Sequence, residues 1–182
     1  NSLKREVLRA MIAYNEERFI PGVLASLARQ TDRAFEVIVV DSNSTDQTEA
    51  VARAYGEQLP AFRYQKLPAA LGPAFGRNQG AMEATHERLL FLDADTVLAP
   101  DFLAATGAEV CRTGADVATC PLRITEPSLF AAAGAAFLNL SMRLLRPVYS
   151  SAYGACLFST QAVHAAVGGF DESLGICEDC HY

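Results

Sequence analysis

The sequence predicts an α/β fold, a mostly parallel central sheet flanked by helices, and three observations carry that expectation. Short apolar runs rich in β-branched residues alternate with segments of helical period. The runs are apolar at consecutive positions, the pattern of strands buried on both faces. Three of them stop at polar, mostly acidic residues, as strands do when they deliver functional groups to one edge of a parallel sheet.

Taken in order, Val7 to Ala13 is too short for a helix and is bounded by Tyr14-Asn15-Glu16, so it reads as a strand. Ile20, Val23, Leu24 and Leu27 then fall at helical spacing, with Pro21 tolerated in the first turn. Phe35 to Val40 is a β-branched strand ending at Asp41, and Ser44-Thr45-Asp46-Gln47 offers a capping box for a helix reaching about Tyr55. A weaker strand at Phe62 to Gln65 leads through the Pro- and Gly-bearing loop Leu67 to Gly72 into a helix around Phe75 to Thr85. Arg88 to Leu92 is a further buried strand, stopping at Asp93-Ala94-Asp95. Beyond it the pattern predicts a helix from Pro100-Asp101 toward Arg112, a strand at Val117 to Cys120, and a long alanine-rich helix from Ser128 to Leu145 that Pro147 closes. A strand at Gly154 to Ser159 and a helix from Thr160 to Val167 complete the series. His86 and His164 read as surface helix residues, and the alanine-rich helix reads as a buried element, with a surface helix meeting a lipid-linked acceptor as its alternative.

The 182 residues, 51% hydrophobic and 20% charged, suit one folded domain spanning 1–182, with no linker-like stretch and no internal repeat. A net charge of −6 without a run of Lys or Arg excludes nucleic acid as a partner. The uncharged stretch Pro127 to Met142 contains Ser128, Gly134, Asn139 and Ser141 and falls short of a membrane span, which leaves peripheral membrane contact as the closest approach to a bilayer. Five scattered cysteines argue against a disulfide framework, and a cytoplasmic location is expected. Cys177-Glu178-Asp179-Cys180 contains a C-x-x-C, but a single pair is a poor zinc site, and the two thiols read as incidental.

Asp93 and Asp95, one residue apart at a strand end, can bring two carboxylates to one point, an oxygen-rich pair suited to Mg²⁺ or Mn²⁺. Two carboxylates rarely fill such a shell, so waters and the oxygens of a substrate diphosphate are the expected remaining ligands. No Gly-x-Gly-x-x-Gly and no Gly-Lys-Ser/Thr occurs, which disfavours dinucleotide dehydrogenases and P-loop NTPases. On their own, Tyr14 reads as a strand-end aromatic and Arg77 as a solvated surface residue.

Ala13-Tyr14-Asn15-Glu16-Glu17, Val39-Val40-Asp41-Ser42-Asn43-Ser44-Thr45-Asp46, Gly76-Arg77-Asn78-Gln79-Gly80, Phe91-Leu92-Asp93-Ala94-Asp95, Gly168-Gly169-Phe170-Asp171-Glu172 and Glu178-Asp179 together resemble the family 2 glycosyltransferases of GT-A fold. The resemblance implies an inverting transfer of a sugar from a nucleoside-diphosphate sugar, of UDP or GDP type, to an acceptor hydroxyl. It implies that Ala13 and Tyr14 border the base, that Glu16 and Ala94 help bind the nucleotide sugar, and that Asp41 accepts a hydrogen bond from base or ribose. Arg77 would reach the base or a phosphate, and Asn78 would cap or brace its loop. Asp95 and Asp93 would hold the metal, with Asp93 closer to the ribose and His181 a further candidate ligand. Asp179 would be the catalytic base and Glu178 its tuning neighbour. The acceptor, lipid-linked or glycan, is not implied. Because family members continue into further helices, a C-terminal continuation beyond residue 182 is expected.

Two other readings compete. Phe91-Leu92-Asp93-Ala94-Asp95-Thr96-Val97-Leu98 also resembles the first motif of haloacid-dehalogenase-type phosphatases, with Asp93 as nucleophile and Asp95 as acid/base, but that chemistry expects a downstream lysine and none follows Lys66. A non-catalytic binder of nucleotide sugars is the third.

Overall fold

The computed structural model describes residues 7–121, 129–145, 155–174 and 182. Four strands run parallel: β1 (Val7–Ala13), β2 (Phe35–Asp41), β3 (Phe62–Lys66) and β4 (Arg88–Asp93). β6 (Cys156–Thr160) pairs antiparallel with β4, and the two-residue β5 (Ala118–Thr119) pairs antiparallel with β6. The sheet order is β3-β2-β1-β4-β6-β5. The chain therefore steps from β1 outward to β3, then crosses back to place β4 on the other side of β1. That reversal makes the carboxyl ends of β1 and β4 a topological switch point, where parallel sheets leave a crevice.

The consecutive apolar runs exist because both faces of the sheet are covered. On one face Val37, Val39, Leu90, Leu92 and Phe158 pack with Ile20, Val23, Leu24 and Leu27 of α1 (Ile20–Ala28) and with Ala52 of α2 (Thr48–Gly56). On the other, Ile38, Val40, Leu89, Phe91 and Leu157 meet Ala74 and Ala81 of α3 (Gly72–Glu83) and Phe170. Alternate residues of each strand serve opposite layers. Gly76 lies where α3 crosses β1, and a Cβ there would run into the Ile12 side chain.

Several local expectations shift. Ser44 does not cap α2, which begins at Thr48; Asp46 Oδ1 instead accepts from Thr48 N (3.0 Å) and Thr48 Oγ1 (2.6 Å). α3 starts earlier than its apolar spacing suggests, because Pro73 sits in its first turn. α4 (Phe102–Thr113) ends on left-handed Gly114, and α6 (Gln161–Val167) is capped by Thr160, whose Oγ1 accepts from Val163 N at 3.1 Å. α5 (Leu129–Leu145) departs from the buried reading: Phe137, Leu140 and Leu144 are exposed. His164 is half-buried rather than on the surface, packing on Phe91 and Phe170 with its Nδ1 3.0 Å from Tyr182 Oη. His86 lies in the turn between α3 and β4.

Glu36 is the buried carboxylate that fixes the approach to β4. It accepts from Thr85 N and Thr85 Oγ1 (both 2.8 Å) and from Arg63 Nη2 (2.6 Å). Burial pushes its carboxyl up, but these hydrogen bonds and the Arg63 charge outweigh it and hold Glu36 below the usual range. A depressed acid stabilises the fold above its unfolded pKa and loses that contribution as pH falls through the folded value. Glu36→Gln is thus expected to cost about 1–2 kcal/mol at neutral pH and to flatten the acid limb of stability, measured as denaturation midpoints from neutral pH to pH ~3. An unchanged acid limb would count against the assignment.

Candidate active site

The switch-point crevice is a cleft of about 500 Å³ between the ends of β1 and β4. Ala13, Tyr14 and Glu16 line it from the β1 side and Asp93, Ala94 and Asp95 from the β4 side. Six of the residues to which the resemblance gives a role thus share one cavity. Ile12, Ser42, Ala70, Gly72 and Pro73 complete the wall, and the resemblance gives none of them a role there. Ser42 directly follows a strand-end aspartate, which was the available signal; its Oγ accepts from Leu71 N (3.1 Å) and ties the loop before α3 to the end of β2. A smaller cleft of about 200 Å³ at the opposite end of β4, beside Arg88 and Cys111, holds none of the motif residues.

The loop carrying Tyr14 and Glu16 is locked to the loop after β2. Asn15, in the left-handed region at φ 55°, donates from its N to Ser44 Oγ (2.9 Å) and accepts at Oδ1 from Thr45 N (2.9 Å). Glu16 N donates to Thr48 Oγ1 (2.8 Å), Glu17 N to Asp46 Oδ2 (3.1 Å), and Gln47 N to Glu17 Oε2 (2.9 Å). Tyr14 is left half-exposed at 52%, free to offer its ring to a planar ligand.

Asp41 sits at the end of β2 within a network of its own. It is fully buried, and its Oδ1 accepts from Ser44 N (2.9 Å) and Ser44 Oγ (2.5 Å) while Oδ2 accepts from Tyr64 Oη (2.7 Å), with Lys66 Nζ at 3.9 Å. Burial and the Asp41 hydrogen bond push the Tyr64 phenol far above its ordinary value, so Tyr64 acts only as a donor. Asp41 has no exposed surface, so a direct hydrogen bond from a nucleobase requires the surrounding wall to open.

Arg77 is buried rather than solvated. Its Nη2 pairs with Asp93 Oδ1 at 2.8 Å, and its guanidinium lies 5.4 Å from the Phe170 ring centroid. One Asp93 oxygen is thereby committed to Arg77, whereas Asp95 is exposed to the cleft. Burial first, then the negative charge of Asp95, Asp93 and Asp46, raises the Glu16 carboxyl above its usual range. The crevice therefore gathers three carboxylates, Glu16, Asp93 and Asp95, of which Arg77 pairs with Asp93.

Asn78 does more than brace a loop. Its Nδ2 donates to Phe170 O (2.9 Å) and Glu172 Oε1 (2.8 Å), and its Oδ1 accepts from Phe170 N (2.8 Å). Gly169 makes this possible, with φ +78° and a position where a Cβ would sit 2.7 Å from Asn78 Oδ1. The Gly-Gly-Phe-Asp-Glu turn is thus clamped to α3 beside Arg77. Asn78→Ala strands the Phe170 backbone groups and is expected to cost about 2 kcal/mol, read as a lower urea midpoint at unchanged m value; an unaltered midpoint would contradict the clamp. Asp179, Glu178, His181, Cys177 and Cys180 lie outside the described residues.

Comparison with known proteins places this geometry. The family model described as "Glycosyl transferase family 2" matches residues 10–146. Over 106 residues the chain is 35% identical to the poly(ribitol-phosphate) beta-N-acetylglucosaminyltransferase TarS of Staphylococcus aureus, covering 57% of this chain and 18% of that protein. It is 35% identical over 92 residues to the validoxylamine A glucosyltransferase of Streptomyces hygroscopicus subsp. limoneus, covering 50% and 20% respectively. The chain therefore spans about a fifth of the length of these curated relatives. Among solved structures, the mannosyltransferase PcManGT of Pyrobaculum calidifontis, in complex with GDP-Man and Mn²⁺, superposes with a TM-score of 0.78 at 25% identity, covering 97% of this chain and 50% of that one. S. aureus TarS superposes with a TM-score of 0.72 at 26% identity, covering 96% and 32%. With the family model covering all four parallel strands beyond the start of β1 and both sides of the crevice, the chain belongs to glycosyl transferase family 2.

Proposed function

We propose that the protein is an inverting glycosyltransferase, moving a sugar from a nucleoside-diphosphate sugar of UDP or GDP type to an acceptor hydroxyl, with residues 1–182 as one catalytic domain working in the cytoplasm. The observation that carries the reading is the crevice itself: Tyr14 on one wall, Asp93 and Asp95 on the other, and Arg77 beneath. The Mn²⁺ and GDP-Man of the P. calidifontis neighbour support the donor class. Family membership leaves the phosphatase alternative without support. Among the described residues no helix is long and apolar enough to cross a membrane.

The donor set fits a divalent cation shared with a ligand. Asp93 and Asp95 supply only oxygen, and beside them Glu16 holds its proton more tightly because burial and the neighbouring aspartates disfavour its charge. Among the described residues no group of three or more His, Cys, Asp or Glu could hold a metal by itself, so part of the shell falls to the diphosphate and water. Asp95, with Asp93, would hold the cation, which stabilises charge on the departing diphosphate. Tyr14 stacks on the base while Arg77 fixes the orientation of Asp93. Asp179 takes the proton from the acceptor hydroxyl on the face opposite the leaving group, with Glu178, its neighbour in the chain, tuning or orienting it.

A thermal-shift panel of UDP and GDP with and without Mn²⁺ tests the reading. At about 100 times Kd the bound nucleotide adds ~2.7 kcal/mol, a rise of roughly 5–10 °C for a chain of this size. The expected result is such a rise with one nucleotide and only with metal; no response from either would overturn the donor assignment.

A further inference from the structure

Cys120, directly after β5, and Cys156, the first residue of β6, are a pair of cysteines that the proposed transfer reaction does not use. Their register sets Ala118 opposite Phe158 and Thr119 opposite Leu157, so the next step places Cys120 opposite Cys156. Side-chain alternation puts both sulfurs on the same face. Cys156 is buried in the core there, and Cys120 and Ala118 pack against that same cluster. Thr119 Oγ1 donates to Cys156 O at 3.1 Å and holds the two strands together at this point. Directly opposed antiparallel residues have Cα atoms about 4.5–5.5 Å apart, inside the ~4.4–6.8 Å window that a disulfide spans.

We propose that Cys120 and Cys156 form a modification site, a cross-strand dithiol that a low-molecular-weight disulfide of the glutathione type closes into an intramolecular bridge. Cys120, the less buried of the two, is the entry point. Its thiolate attacks one sulfur of the small disulfide, the S–S bond breaks, and one small thiolate leaves and takes up a proton. Cys156, giving its proton to solvent, then attacks the Cys120 sulfur of the mixed disulfide and expels the second small thiol. Two protein thiols are oxidised and one small disulfide is reduced to two thiols. The Cys156 thiol donates a hydrogen bond to Cys120 and holds the Cys120 thiol below its ordinary value despite burial, which favours the attacking thiolate.

The bridge lies next to the crevice. Cys156 pairs with Leu92 across β4, and the adjacent Ala155 O accepts from Asp93 N (3.3 Å) and Thr96 Oγ1 (3.1 Å). Closure ties edge strand β5 to the backbone that supports the Asp93–Thr96 turn. Cys111 supplies an internal control: it is exposed and accepts from Arg88 Nη2 at 3.2 Å.

The test treats the reduced full chain with oxidised glutathione under native conditions, blocks remaining thiols by alkylation, and maps peptides by mass spectrometry. The expected product is a linked Cys120–Cys156 peptide without retained glutathione, while Cys111 keeps a glutathione adduct. In Cys120→Ser, Cys156 is expected to stay free and be alkylated; should that variant not fold, the wild-type map decides alone. A stable glutathione adduct on Cys120 with Cys156 free would overturn the proposal. So would a bridge from Cys120 to Cys177 or Cys180, or two unreacted thiols beside a modified Cys111. None of these outcomes depends on the donor chemistry.

Discussion

Asp179→Asn is expected to lower kcat for sugar transfer by about 10²–10⁴-fold while leaving the metal-dependent nucleotide shift of the wild type intact. The substitution keeps size and shape but, on the proposed mechanism, removes the atom that would accept the acceptor's proton. An inverting displacement needs that proton removed on the face away from the leaving group, and no part of the donor site substitutes for it. Asp95→Asn should show the opposite split, with the nucleotide response to Mn²⁺ reduced, because Asp95 is the exposed carboxylate of the crevice. The rate against pH discriminates further. Wild-type turnover should rise as a carboxylate base loses its proton, and the residual activity of Asp179→Asn should lack that rise. Normal turnover in Asp179→Asn would remove Asp179 from the reaction and leave the nucleotide site standing.

What could be read from the chain depended on how far apart the interacting residues lie. β2 and β4 were legible because Val37 to Val40 and Leu89 to Leu92 feed two apolar layers at once, and in so short a segment four consecutive apolar residues suit a strand covered on both faces. The crevice was legible because strand ends deliver Tyr14, Glu16, Asp93 and Asp95 locally. Pairing direction was not, since an antiparallel β6 beside β4 has the same local pattern as a parallel one. Asn78 and Phe170 are 92 positions apart, and only the folded chain brings them together. Ser44 shows a competition that local rules could not decide: its hydroxyl suits a helix cap, but Asp41 and Asn15 claim it, and Asp46 inherits the work at Thr48. Phe137, Leu140 and Leu144 made α5 look internal, because apolar periodicity reports that a face is apolar and not what covers it.

Arg77 is the residue whose environment the sequence misjudged most, and Arg77→Met is expected to lower both stability and ligand affinity. Only 6% of the Arg77 side chain is exposed, and its guanidinium has Asp93 on one side and the Phe170 ring on the other. Breaking a fully buried ion pair from one side costs about 3–5 kcal/mol. Asp93 is 37% exposed, so water recovers part of its solvation, and a loss of about 2 kcal/mol is the better expectation. For a chain of this length that is a fall in Tm of roughly 4–8 °C. The second effect falls on ligand binding: Met fills the volume over Phe170 but no longer holds Asp93, so the affinity for nucleotide with Mn²⁺ should drop by about tenfold, near 1.4 kcal/mol. Arg77→Lys separates charge from shape. It restores a cation without the planar fork that meets Asp93 and lies against Phe170, so it should recover less than half of either loss. Measured together, Tm and nucleotide affinity decide the matter. If Arg77→Met left both unchanged, Arg77 would be the solvated surface residue that its sequence context suggested, and the Arg77–Asp93 pair would have no part in shaping the crevice.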